Sequence, residues 1–410
     1  MTMQRIEAEL MIPGRGDPVR DAVVVIDGAR IGYAGPAGAA PATPDAEVVR
    51  AVVVMPGLWD CHSHLLGLRV LDLNRLPMEP SALRAARATM DLRAALDAGF
   101  TSVREVGGLG IYLARAVAEG SVEGPHIYAA GAVLSTTAGH GDLHSYPLSW
   151  VADFGHLGGE LRLADGPAEC ARAAREQLRK DAKVIKICAS GGVLSEVDHP
   201  IHQQFTDAEM RAIVEVAGLA ERVVAAHCHG KPGILAAVEA GVATIEHGTF
   251  LDEEAAAAMR ESGTILVTTR TIVQEILDSR AAPPYAQAKL EAIAARHAEA
   301  MALARECGVR VAVGTDLALS GAGLPVSWGR NGRELVLLVK LGFTPLEVIE
   351  AATAVGPETL GPQAPRSGLL AEGFDADVLT LDADPLVDIE VLARPERITG
   401  VWKAGRRVKG

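Results

Sequence analysis

The spacing of hydrophobic and polar positions changes rhythm along this chain. Over residues 1–56 the apolar residues come in short runs broken by turn formers. The segment DAVVVIDGARIGYAG alternates, turns at Asp27–Gly28 and resumes, which is a hairpin pattern. A Pro/Ala/Gly-rich stretch at 35–44 and an apolar strand at 48–54 complete this region.

From residue 57 short apolar runs alternate with longer segments of helical period. Strands are expected at 58–64, 101–106, 126–131, 183–189, 222–229, 242–247, 264–269 and 309–316. Helices are expected between them at 81–98, 168–181, 206–220, 252–262 and 285–307. Gly99, Gly124, Gly241, Gly263 and Gly308 sit just before strands, where a helix ends and the chain turns. Eight strand–helix alternations predict a parallel sheet closed as a (β/α)₈ TIM barrel, an α/β fold. The stretch 132–165 is long and irregular, as functional loops often are. After helices at 330–341 and 345–355 the tail returns to strand patterns, DADVLTLD and ITGVWKAGRRVKG. The expected organisation is a small β-sandwich domain built from both termini, 1–56 and 364–410, with the barrel at 57–363 between them.

Composition narrows the function classes. The chain has 410 residues, 49% of them hydrophobic, enough for a large core, and only 4% aromatic, so that core is built from small and branched side chains. A formal net charge of −13 argues against nucleic acid and against an anionic membrane surface. No apolar run reaches the length of a membrane span, and the first residues lack a secretory apolar stretch, so the expected setting is the cytoplasm. The five cysteines include no C-x-x-C pair, which argues against a disulfide framework or a structural zinc site. The expected partner is a small-molecule substrate; a homo-oligomer is left open.

Candidate chemistry falls at the ends of the expected strands, where barrel active sites sit. His62 and His64 are i and i+2 on a strand and share a face, so two imidazoles can hold one metal ion. Two unrelated polar residues at a strand end would read the same way. Lys186 lies inside the apolar run KVIKICASGG, where an ammonium is costly unless its head reaches solvent or it is neutralised. His227 ends RVVAAHCH, with His229 on the same face; His247 ends VATIEHG; Asp316 ends VRVAVGTD. A lone histidine of this kind is more often structural. Cys188 shares the parity of Lys186, whereas Cys61 and Cys228 alternate with the histidines and should face away.

Taken in strand order, H-x-H, Lys, His, His and Asp resemble the amidohydrolase superfamily, specifically its binuclear members with a carboxylated lysine. PGLWDCHSHL and AVGTD look like its first- and last-strand signatures. VIKICASGGVLSEVDHP, QFTDAEMRAIVEVA, VVAAHCHGKPGILAAVEAGVATIEHGTFLDEE and NGRELVLLVKLGFTPLEVIEAAT resemble the imidazolonepropionase-like group that includes Xaa-Pro dipeptidases and ochratoxin-degrading amidases. The resemblance implies two divalent metal ions, with zinc the first expectation for imidazole and carboxylate ligands without redox chemistry. His62, His64 and Asp316 would hold one and His227 and His247 the other, bridged by a CO₂-derived carbamate on Lys186 and by the attacking hydroxide. It implies Asp316 as proton carrier, His229 as carbonyl polariser and His140, in TAGHGD, as a substrate contact. Asp60 and Glu246, beside ligands, either orient imidazoles or are ordinary strand-end acids.

Arg270, Lys231 and Trp328 depart from the pattern of that group; each either faces the substrate or is a solvated charge or packing ring. The implied activity is cleavage of an amide or peptide bond in a small dipeptide or N-acyl amino acid. The alternatives are a hydrolase of a cyclic amide, carbamate or related xenobiotic amide, and a mononuclear deaminase-like enzyme; Lys186 argues against the last. A non-catalytic scaffold should have lost some of these residues.

Overall fold

The computed structural model describes residues 3–410. Strands from both ends of the chain form one seven-stranded sheet. In order across the sheet they are Arg406–Lys409, Ile398–Lys403, Val378–Leu381, Glu47–Pro56, Gln4–Met11, Val19–Asp27 and Arg30–Pro36. All neighbours are antiparallel except Gln4–Met11 with Glu47–Pro56. The expected turn at Asp27–Gly28 joins two of these strands. Trp402 donates its indole N–H to Gln4 Oε1 at 2.7 Å and shares a core with Ile6, Val24, Ile26, Val54 and Val378.

Between these ends lie two all-parallel sheets. One runs Leu317–Leu319, Leu58–Leu68, Phe100–Glu105, His126–Ala129; the other runs Val311–Ala312, Ile265–Val267, Thr244–His247, Val224–Cys228, Ile185–Cys188, Val133–Ser135, Leu161–Leu163. Backbone hydrogen bonds link them at two places. Lys183 N–H donates to Ala129 O at 2.8 Å, and Cys61 N–H to Val313 O at 2.8 Å. The Glu47–Pro56 strand passes into Leu58–Leu68 through Gly57, where a β-carbon would sit 2.0 Å from Thr101 Oγ1.

The intervening helices follow from local sequence. Pro167–Arg179 buries Cys170, Ala173, Ala174 and Gln177, one face at helical spacing. Asp207–Leu219 begins with a reciprocal capping box between Thr206 and Glu209. Lys231–Ala240 and Glu253–Ser262 end on the left-handed glycines Gly241 and Gly263.

Some expectations needed correction. The irregular stretch 132–165 contains the helix Leu148–His156 and two three-residue strands, too short for periodicity to reveal. The strand expected at 309–316 is a regular ladder strand only over Val311–Ala312; beyond it backbone bonds to Cys61 and His62 continue up to the turn at Asp316. Helices Gly110–Ala118 and Arg270–Ser279 were not anticipated.

Candidate metal centre

The candidate residues converge at the carboxyl ends of the parallel strands. His62 and His64 lie on Leu58–Leu68, and their Nε2 atoms stand 3.6 and 3.2 Å from Asp316 Oδ1. Their other nitrogens are taken: His62 Nδ1 meets Glu246 Oε2 at 2.7 Å and His64 Nδ1 meets the Gly107 carbonyl at 2.7 Å. Because these partners accept, Nδ1 carries the proton of each ring when it is neutral, and both Nε2 lone pairs then face the Asp316 carboxylate. Acceptors pointed at one another in a buried site repel unless a cation lies between them.

A second group forms from His227, His229 and His247, whose ligand atoms lie within 4.8 Å of one another. His229 Nδ1 is 2.7 Å from Thr249 Oγ1, His247 Nδ1 is 2.7 Å from Thr269 Oγ1, and His227 Nε2 is 3.1 Å from the Gly191 carbonyl. Burial, reinforced by the neighbouring histidines, holds His227 and His247 well below the usual histidine range. His62 is lowered to about 4 by burial and then by the Lys186 charge. Burial opposes charging of His64 as well, but Asp316 outweighs it and raises that ring.

Lys186 is 2% exposed, and its Nζ has no hydrogen-bond partner. Burial lowers its pKa. An ammonium in such a place is strongly disfavoured.

The backbone is bent to make this site. His247, Thr269 and Asp316 have φ of 71°, 71° and 60°, in the left-handed region that non-glycine residues seldom occupy. Such strain persists where surrounding structure holds it and clusters at functional sites. Asp316 is held by its own N–H, which donates to His62 O at 2.7 Å.

Support for the histidines is partly as expected. Glu246 orients His62 and is gripped by Arg104, whose Nη2 lies 2.7 and 2.8 Å from the two carboxylate oxygens. Asp60 does not touch an imidazole. It accepts from the backbone N–H groups of His62 and Thr315 and from Asn331 Nδ2, tying the two strands together. His140 hydrogen-bonds Ser195 Oγ at 2.8 Å through Nδ1 and stacks on His227 with centroids 4.2 Å apart. A β-carbon on Gly192 would lie 2.1 Å from that ring, which explains a glycine there.

A cavity of about 1020 Å³, counting its open mouth, spreads over these groups. Leu71, Leu76, Leu161, Ile272, Ile276 and Leu290 give it an aliphatic wall, and Cys188 also lines it. Cys61 and Cys228 instead direct their thiols to the Gly356 and Gly230 carbonyls.

Three candidates stand elsewhere. Lys231 is the first residue of its helix and is bound at 2.6 Å to both Asp252 and Glu254. Trp328 is buried behind the site and donates its indole N–H to His64 O at 3.3 Å. Arg270 points away from the cavity wall, donating to Ala294 O at 2.8 Å. Of the two readings the sequence left open for each, these contacts favour the one in which the side chain does not face substrate, through partners that sequence spacing does not reveal. Residues not anticipated are Arg104, Thr249, Thr269 and His297; for Arg104, a charge inside the apolar run TSVREVGG was the available signal.

Histidine and carboxylate clusters at the ends of parallel strands, beneath an apolar cavity, define a hydrolase of the amidohydrolase class, and the Amidohydrolase family model matches residues 53–408. The chain belongs to that family and is a hydrolase acting on amide carbon–nitrogen bonds. It is 41% identical to ochratoxinase from Aspergillus niger over 422 residues, covering 99% of this chain and 86% of that protein. The crystal structure of A. niger ochratoxinase superposes with TM-score 0.93 at 40% identity, over 100% of this chain and 96% of that one. A prolidase complexed with N-methylphosphonate-L-proline has TM-score 0.89 at 33% identity, with both chains covered in full at 100%. A Xaa-Pro dipeptidase with methionine bound in its active site has TM-score 0.88 at 30% identity, again covering 100% of both.

Proposed function

We propose that this protein hydrolyses the amide or peptide bond of a small dipeptide or N-acyl amino acid at a two-metal centre. The observation that carries this reading is the unpartnered, buried Lys186 Nζ beside two convergent ligand groups. In this reading the parallel sheets close as a (β/α)₈ barrel over 57–363. The terminal strands, 1–56 and 364–410, make a β-sandwich around the Trp402 core.

His62, His64 and Asp316 would hold one divalent ion and His227 and His247 the other. The uncharged amine of Lys186 would add to CO₂ and lose a proton to solvent, giving an anionic carbamate between the two ligand groups. Zinc suits a set of imidazoles and carboxylates. Bound divalent ions supply Lewis acidity, lowering the pKa of water and polarising a carbonyl.

The remaining steps fall to side chains. Asp316 faces both Nε2 atoms and is the base that takes the proton from the attacking water, returning it to the leaving nitrogen as the C–N bond breaks. His229, with Thr249 donating to Nδ1, presents Nε2–H to the carbonyl oxygen as charge develops there. His140, fixed by Ser195, contacts the substrate on the other side of His227. The aliphatic wall suits an apolar side chain on the substrate.

Metal analysis after reconstitution with zinc and bicarbonate tests the reading. About two ions per chain are expected, Lys186→Ala losing most of them together with activity, and chelation lowering Tm reversibly. Absence of bound metal after reconstitution would refute it. A panel of dipeptides and N-acyl amino acids tests the substrate class: if carbamates or lactams are cleaved and no member of that panel is, the peptidase reading fails.

A further inference from the structure

His297 has no role in the chemistry above, yet its position is unusual. It lies on the helix Pro284–Glu306, is 0% exposed, and lines the cavity close to His229. Neither ring nitrogen has a side-chain partner or a well-aligned hydrogen bond, although the Thr268 backbone lies beside the ring. Every other cavity histidine has at least one ring nitrogen engaged, including His62, His64, His140, His227, His229 and His247. A buried imidazole with no well-aligned hydrogen bond is costly, which points to a partner supplied by something that enters the cavity.

The chemistry of that partner is set by what lies behind the ring. Arg270 is buried and its guanidinium is held by neutral acceptors, Ala294 O at 2.8 Å and Gln274 Oε1 at 3.4 Å. Glu334 accepts from the Arg270 backbone N–H, not from its guanidinium. Ala294 is one turn before His297 on the same helix, so a positive charge whose guanidinium makes no direct carboxylate contact lies near the ring, with Glu334 acting on it from further off. This charge and the burial together keep His297 uncharged, with its pKa lowered to about 3 by burial first and Arg270 second, against a smaller opposing contribution from the Thr268 backbone. A neutral imidazole backed by a buried cation is an N–H donor suited to an anionic oxygen. Glu160, the other carboxylate on the wall besides Asp316, is paired with Arg84 at 2.7 Å.

We propose that His297 is a specificity-determining residue that donates a hydrogen bond to the carboxylate of the substrate's amino-acid half, with Arg270 stabilising that carboxylate from behind the ring. The assignment rests on the reading of the substrate as a dipeptide or N-acyl amino acid. It makes the free carboxylate, in addition to the apolar side chain, something the enzyme reads.

Calorimetry on zinc-loaded protein with L-phenylalanine and L-phenylalaninamide isolates the carboxylate without requiring turnover. Wild type should favour the acid, and His297→Leu should reduce the acid-to-amide affinity ratio about tenfold or more, the scale of a hydrogen bond to a charged group. His297→Gln, which keeps an N–H donor, should recover part of that ratio. The same ratio in kcat/KM for N-acetyl-L-phenylalanine over its amide should fall in parallel. An unchanged ratio in His297→Leu, or a wild type that binds acid and amide equally, overturns the assignment. If the acid preference and its loss in His297→Leu are seen but no amide is cleaved, the proposed function fails and the His297 assignment stands.

Discussion

Glu246 accepts a hydrogen bond from His62 Nδ1 at 2.7 Å, joining residues 184 positions apart in the chain. The carboxylate is fully buried and lies well below the usual range despite that burial, because the Arg104 guanidinium and the His62 hydrogen bond stabilise its charge. The contact fixes which His62 nitrogen faces Asp316.

Removing either end of this chain of contacts should have different consequences. Glu246→Gln is expected to weaken zinc binding about tenfold to hundredfold by loosening the His62 tautomer. Arg104→Met leaves the Glu246 charge buried and unpaired and should cost about 3–5 kcal/mol of stability. Zinc titration and urea unfolding read the two effects separately. Equal zinc affinity in Glu246→Gln and wild type would show that the contact does not set the tautomer.

Thr249 is placed to decide how His229 acts. With its hydroxyl on Nδ1 at 2.7 Å, Thr249→Val should reduce kcat about tenfold to hundredfold while metal content stays near wild type. Thr249→Ser should restore it. Loss of metal in proportion to activity would instead make His229 a ligand, as its place in the second histidine group allows.

Asp91 offers a stability test remote from the centre. It is buried, accepts a hydrogen bond from Ser320, and burial raises its pKa from 3.8 to about 7. The native state therefore holds a proton over that window that the unfolded chain releases, and its contribution to stability declines as pH rises through it. Asp91→Asn, which cannot ionise, should match wild type near pH 4 and gain on it steadily towards pH 8, measured by urea unfolding. A stability difference that does not vary with pH would contradict the shift.

Local sequence carried much of this. The i, i+2 spacing put His62 and His64 on one face because strand periodicity is a property of neighbouring residues. The Thr206–Glu209 cap and the Asp27–Gly28 turn are equally local. Strand order then predicted which of His62, His64, Lys186, His227, His247 and Asp316 would meet. Less legible were elements such as Val133–Ser135 and Leu161–Leu163, whose three residues carry no period.

The sequence by itself determined the alternation of strands and helices, the residue types at the strand ends and the family they belong to. Tertiary structure decided what surrounds them. Arg104 reached Glu246 across 142 positions, Arg270 turned to Ala294, Trp328 packed behind His64, and His297 came into the cavity from a helix that periodicity describes only as partly buried. The reason is physical. A face or a turn is fixed by a few neighbouring dihedral angles, whereas the partner of a buried charge is chosen by the whole packed chain, which leaves few buried polar groups unsatisfied.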